Sequence, residues 1–315
     1  MEYQLKRVGG ALLEPIKSHS WESRAVFNPG TVRVGDAVHM LYRAVEGANF
    51  STIGYARLDS AGNVLERRDQ PVICREWDVE KQGVEDPRIV PFDGSNYIFY
   101  TAYDGAHPEK DANTRVMMAE TKDFFSFSKL GVVGPPGMQD KDAFIFPETA
   151  DGKVVYMHRI VPHIQIALFD SIEHFRHPEP GYWQEHLDHL EKYTVMAREF
   201  DWETKKIGAG PPPILTDAGW LLIYHGVDAK HVYRAGAALL DAKNPHKVIA
   251  RLPYPIFQPE REYELFGDVN NVVFPEGLAL FDDELQVFYG GADKVVAMAA
   301  GSLSGLIDAL WQHKK

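Results

Sequence analysis

The chain has little cysteine: among its 315 residues Cys74 is the single one. No disulfide can form within it, so stability has to come from burial and hydrogen bonding. Cys74 lies in PVICREW with no histidine close by, and it reads as a buried structural thiol rather than a nucleophile. Long hydrophobic runs are missing as well. The opening MEYQLKRVGG lacks the apolar stretch of a signal peptide, and no segment is long enough to span a bilayer. With the lone thiol, this points to a cytoplasmic protein. Positive charge is in deficit: Lys and Arg number 33 against 45 Asp and Glu, a net charge of −12. Neither nucleic acid nor an anionic membrane is therefore expected as a partner. A small anion would need a local basic cluster acting against the overall field.

Helical periodicity is scarce, confined to residues 185–200 (EHLDHLEKYTVMAREF) and 303–312. His186 and His189 in the first of these have a spacing that zinc could use. A solvated insertion helix, or one that contacts another subunit, is the simpler reading. No nucleotide-binding glycine loop is present, because GPPPIL is rigid and lacks the lysine-serine ending of a phosphate loop.

What the chain does have is a repeat. VHMLYR at Val38 is matched by YIFYTA at Tyr97, VVYMHR at Val154, WLLIYH at Trp220 and LQVFYG at Leu285, five strand-like runs at intervals of roughly 60 residues. A proline motif precedes each (FNPG, EDPR, FPE, GPPP, FPEG), and a second strand ending in a polar turn follows. This predicts an all-β fold, one five-bladed β-propeller over residues 1–315, with a short helical insertion and a C-terminal helix. The blade motifs fall near 27–60, 85–130, 146–176, 206–250 and 270–305. An evenly spaced β-sandwich is the alternative.

In a propeller the innermost strands surround a central channel, so equivalent positions converge there. One layer precedes the strands: Asn28, Glu85 with Asp86, Lys141 with Asp142, Lys206, and Asn270 with Asn271. A second lies at the strand ends: Arg43, Tyr103 with Asp104, Arg159, His225 and Asp293. Burying so many charges calls for pairing or for a polar ligand. Carboxylates can hold hydroxyls or move a proton. Arg159, Lys206 and His225, from the third and fourth repeats, suit a phosphate.

The motifs GVEDPRI, KDAFIFPE, KIGAGPPP, LLIYHGVD, NNVVFPEG and YGGAD, in this order along most of the chain, resemble those of glycoside hydrolase family 130. These are inverting β-mannoside phosphorylases and some β-mannosidases. The resemblance implies a five-bladed propeller with Asp86 as general acid. Asn28, Arg43, Asp142 and Asp293 match positions that hold the mannose, with Glu85, Tyr103 and Asp104 as further substrate contacts. Arg159, Lys206 and His225 match phosphate positions. Glu276 and Gly291 depart from the commoner pattern, where Cys and Ala are expected.

On this resemblance the expected reaction is phosphorolysis of a β-1,2- or β-1,4-mannoside to α-mannose 1-phosphate and a shortened acceptor. Inorganic phosphate is co-substrate, no metal or other cofactor is expected, and self-association into a homo-oligomer is left open. Inversion places the acid and the nucleophile on opposite faces of the sugar, and a cationic pocket for phosphate replaces the second carboxylate of a hydrolase. Asp86 has to be protonated when the leaving oxygen departs, so burial or a neighbouring acid such as Glu85 is expected to raise its pKa. Two rival readings are a water-using β-mannosidase with Glu148 or Glu276 as base, and a glycan-binding propeller without catalysis.

Overall fold

The computed structural model describes residues 2–105 and 113–315. Strand β1 (Lys6–Leu13) comes first and finds its partner last. Blade one is β2 (Ala25–Val34), β3 (Ala37–Val45), β4 (Ser51–Asp59) and β5 (Val64–Arg67). Blade two is β6 (Gly83–Phe92), β7 (Ser95–Tyr103), β8 (Thr114–Thr121) and β9 (Ser128–Val133). Blade three is β10 (Lys141–Ile145), β11 (Val154–Arg159), β12 (Ile164–Phe169) and β13 (Thr194–Met196). In blade four, β14 (Lys206–Ala209) and β15 (Ile214–Thr216) both pair with β16 (Gly219–Val227), which β17 (Tyr233–Leu240) and β18 (Val248–Arg251) follow. The prolines of GPPP, having no N–H to donate, interrupt what would otherwise be one inner strand.

Blade five is β19 (Val273–Phe281), β20 (Glu284–Gly291) and β21 (Val295–Ser302), completed by β1 as its outermost strand. The ring thus closes between the two ends of the chain, which covers edges that would otherwise be left open. Blades one and two also touch through one parallel bridge, Ser51 to Gly83. The fold is the expected five-bladed propeller.

The tyrosine in each repeat has a physical reason. Four blades carry a fully buried glutamate in the short helical turn that leads into the inner strand: Glu22, Glu80, Glu203 and Glu264. Each accepts the hydroxyl of the second-strand tyrosine, at 2.9 Å from Tyr42, 2.8 Å from Tyr100, 3.2 Å from Tyr224 and 2.7 Å from Tyr289. Each also meets a cation from the outermost strand, respectively Arg67, Lys129, Arg251 and Arg7. A buried phenol needs an acceptor and a buried carboxylate needs donors, so one residue ties the linker to both flanks of its blade.

Blade three departs from this rule. Asp140 takes the carboxylate place, 3.3 Å from the Tyr156 hydroxyl, and the outermost-strand cation is replaced by histidines. This blade runs from Lys141 to Met196, because the helical insertion (Ile172–Arg176, Tyr182–Asp188, Leu190–Tyr193) lies between its third and fourth strands. The 146–176 motif captured only its middle. The insertion is not one solvated helix: His186 is buried and only His189 faces outward. A C-terminal helix, Leu303–Trp311, packs Leu306 and Leu310 against blades four and five. Cys74 is exposed, not buried as expected. Among the described residues no helix is long and apolar enough to cross a membrane.

Candidate active site

The inner strands meet around the axis, and at one level four of them carry β-bulges. Pairing with the second strand slips between Phe27 and Pro29, Glu85 and Arg88, Lys141 and Phe144, and Pro275 and Gly277. Asn28, Asp86 and Asp142, each in a bulge, have φ of 50°, 52° and 52°. Asn and Asp tolerate this left-handed region better than other side chains with a Cβ, and a bulge re-aims the side chain it carries. All three line one polar cavity of about 570 Å³, counting its open mouth.

One side of the cavity is built by blades one, two and five. Asn28 Nδ2 donates to Asp86 Oδ1 at 2.9 Å. Arg43, held over the Phe27 ring at 4.9 Å, reaches Glu85 at 2.6 Å and Asp86 at 3.4 Å. Burial opposes the charge of Asp86, but Arg43, Lys141 and the Asn28 amide outweigh it and hold this carboxyl below the usual carboxylate range. The expected upward shift is therefore reversed in the free site. Its neighbour Asp293 goes the other way. Burial, reinforced by Asp86, Asp268 and Glu85, pushes it up to about 7 against the pull of Arg43.

Blades three and four supply the other side. Lys141, Arg159 and Lys206 all face the cavity. Arg159 pairs with Asp142 at 3.1 Å, and Lys206 sits 5.4 Å from the Tyr233 ring centroid. Burial and the neighbouring Arg159 lower Lys206 to about 8, Lys141 and Lys205 adding to the effect while Asp142 opposes it. Asp142 is held ionised well below its ordinary value despite burial, chiefly by Arg159, with Arg88 and Lys206 adding to the effect. Gly208 permits this crowding, since a Cβ there would lie 2.3 Å from Asp142 Oδ2.

The floor is Arg88, buried almost completely. From blade two it donates to Gly210 O at 2.8 Å in blade four, pairs with Asp142 at 3.2 Å in blade three, and meets Glu276 at 2.7 Å in blade five. Burial raises Glu276 well above an ordinary glutamate, with Asp86 and Asp142 adding to the shift. It lies behind Arg88, away from the cavity.

Of the residues singled out from sequence, Asn28, Arg43, Asp86, Asp142, Arg159, Lys206 and Asp293 line the cavity together. Glu85 stands behind Arg43 and Lys141. His225 lies under Gly208 against Phe274, its Nε2 3.7 Å from Asp142, and burial pushes it down to about 3, so its ring is neutral. Tyr103 ends β7 opposite Gly83, with Asp104 next to it. Neither lies among the cavity-lining residues described, nor do Asn270 and Asn271. Tyr233, Val269, Val272 and Phe274 do, and sequence reasoning missed them. Tyr233 begins the third strand of its blade, a position that the repeat alignment could have collected. Glu148 is exposed and lines a separate, mainly apolar pocket with Pro147, Pro212 and Leu278, among residues further along the inner strands.

Fold and cavity together define a propeller whose inner-strand ends gather carboxylates on one side of a cavity and a cationic cluster on the other. The family profile described as β-1,4-mannooligosaccharide phosphorylase matches residues 5–312, and the chain belongs to that family, glycoside hydrolase family 130. It is 38% identical over 304 residues to a 1,2-β-oligomannan phosphorylase of Thermoanaerobacter sp. (strain X514), covering 94% of this chain and 96% of the relative. A β-1,2-mannobiose phosphorylase of the same organism is 39% identical over 302 residues, with 91% and 93% covered. A solved structure from work on glycoside hydrolases of this family that target β-1,2 mannosidic linkages in Candida mannan superposes with a TM-score of 0.80. It shares 24% identity and covers 96% of this chain and 95% of its own, a likeness that bears on the fold.

Proposed function

We propose that the protein is an inverting phosphorylase of β-1,2-linked mannosides, releasing α-mannose 1-phosphate and a shortened acceptor. The observation that carries this reading is the division of one cavity into a carboxylate side and a cationic side. Asp142, which could otherwise serve as a second base, is bound by Arg88 and Arg159. Glu148 lies in another pocket and Glu276 lies behind Arg88, so neither is placed to activate water. Phosphate needs no base, only orientation by Arg159, Lys206 and Lys141, with Arg159 able to grip two oxygens. The linkage follows the two relatives that match over nine-tenths of the chain.

In this reading a phosphate oxygen attacks C1 from the α face as the C1–O bond to the acceptor breaks, and the departing oxygen takes a proton from Asp86. Asp86 begins as a carboxylate. It takes that proton from solvent water as sugar enters the cavity and its hydroxyls replace the contacts with Asn28 and Arg43 that hold its charge in the free site. Asp293, protonated in part at neutral pH, donates to a sugar hydroxyl. The test incubates the enzyme with β-1,2- and β-1,4-mannobiose, with and without phosphate. Mannose 1-phosphate from the β-1,2 substrate, dependent on phosphate and reduced at least about a hundredfold in Asp86→Asn, is expected. Free mannose without phosphate would replace this reading with hydrolysis.

A further inference from the structure

The helical insertion of blade three has no part in the cavity, yet it ends in a buried contact with the strand that carries Arg159. His186 Nε2 lies 3.0 Å from His158 Nε2. His158 Nδ1 lies 3.2 Å from Asp140 Oδ2, and the other oxygen of Asp140 accepts the backbone N–H of Arg159 at 3.2 Å. All three linking side chains are at most 2% exposed. Aromatic rings surround them: Tyr193 stacks on His186 at 4.2 Å, Tyr156 stacks on His158 at 5.1 Å, and Trp183 meets His186 edge-on at 5.4 Å.

We infer that His186 is a positioning residue for Arg159, acting through His158 and Asp140. In the other four blades the equivalent carboxylate is anchored by a cation of the outermost strand. Blade three has given that place to the insertion. Proton order in the chain follows from hydrogen-bond chemistry. Asp140 accepts only, so His158 donates from Nδ1. A ring with one proton then accepts at Nε2, and His186 donates from Nε2. This leaves His186 Nδ1 as a bare lone pair, and that nitrogen is indeed buried without a protein partner. An N–H there would be the costlier orphan. Burial, with His158 and His246 adding to it, pushes His186 down to about 3, which keeps the ring neutral at working pH. Removing the donor leaves His158 Nε2 unpaired in an apolar cage. The ring can then turn and release Asp140, and with it the backbone that aims Arg159.

The inference rests on the phosphate role of Arg159, and the test separates the two. His186→Phe preserves ring and volume but not the donor; His186→Gln restores an N–H near the same point; Trp183→Phe disturbs the cage and leaves the hydrogen bond. His186→Phe should raise KM for phosphate by about three- to tenfold with a smaller change in kcat, while His186→Gln and Trp183→Phe stay within about twofold of wild type. Nitrogen-15 NMR of the wild-type imidazoles should show His186 protonated at Nε2 and His158 at Nδ1, a result independent of turnover. An unchanged KM in His186→Phe, equal damage in His186→Gln, or the opposite tautomers would overturn the inference. Wild-type turnover without phosphate would instead overturn the phosphorylase reading.

Discussion

Replacing Lys206 with arginine should change how anion binding responds to pH. Lys206 is lowered from 10.5 to about 8, chiefly by burial and by Arg159 beside it. With that value the ammonium is about nine-tenths formed at about pH 7 and about one-tenth formed at about pH 9. If only the charged form holds the anion, affinity falls roughly tenfold across that interval. A lysine with its ordinary value would lose almost nothing. Arginine stays charged throughout and can lie over the Tyr233 ring as the lysine does. Sulfate is the suitable probe, because its own charge is constant over this range whereas phosphate changes. The assay is competitive inhibition by sulfate against phosphate at several pH values, in wild type and Lys206→Arg. Asp293, at about 7, titrates in the same range and weakens anion binding in both proteins. The difference between the two curves therefore isolates Lys206. A wild-type inhibition constant that tracks that of the arginine variant up to about pH 9 would refute the argument.

Two further outcomes concern stability. Glu203→Gln removes the buried carboxylate that pairs with Arg251 and leaves it only the partly exposed Glu199 at 3.5 Å, which should cost about 3 kcal/mol; Tyr224→Phe, which removes one neutral donor, should cost about 1 kcal/mol, both read from urea midpoints. Glu80 and Glu264 are held below the ordinary value of 4.5 although burial opposes it, chiefly by Lys129 and Arg7 and by backbone N–H groups. A carboxylate lowered on folding contributes stability fully above its unfolded value, and that contribution is lost as pH falls through the folded value. The share of stability that these two glutamates contribute should therefore be constant above about pH 5 and be lost below about pH 4, so the urea midpoint of Lys129→Met should fall less steeply in acid than that of wild type. An acid limb unaltered in Lys129→Met would count against the glutamate posts.

Much of the fold could be read from the chain. The tyrosines of VHMLYR, YIFYTA, VVYMHR, WLLIYH and LQVFYG mark the second strand of every blade because each phenol is buried on a carboxylate. The carboxylates were legible too, though unread: Glu22 and Glu80 each stand 20 residues before their tyrosine, and Glu203 stands 21 before. Asn28, Asp86 and Asp142 were found as cavity residues because their place just before a strand recurs from blade to blade. Tyr233 and Phe274 were missed because an aromatic residue in a strand looks the same whether it faces a core or a cavity. Cys74 was misjudged because the lack of a histidine nearby in the chain argues against a nucleophile but does not fix which way the side chain points.

Local sequence thus determined the number of blades, the strand spacing and the left-handed bulge positions, since each depends on residues near one another in the chain. The family motifs set the class of chemistry in the same way. Protonation was decided by tertiary structure alone. Asp86 and Asp293 are both aspartates near the same arginine, yet one is held ionised and the other pushed up to about 7. The cause is which charges and donors four other blades bring within a few ångströms in a site sheltered from water. The role of the histidine-bearing insertion was equally invisible, because His186 meets His158 across 28 residues of intervening chain, and only folding closes that distance.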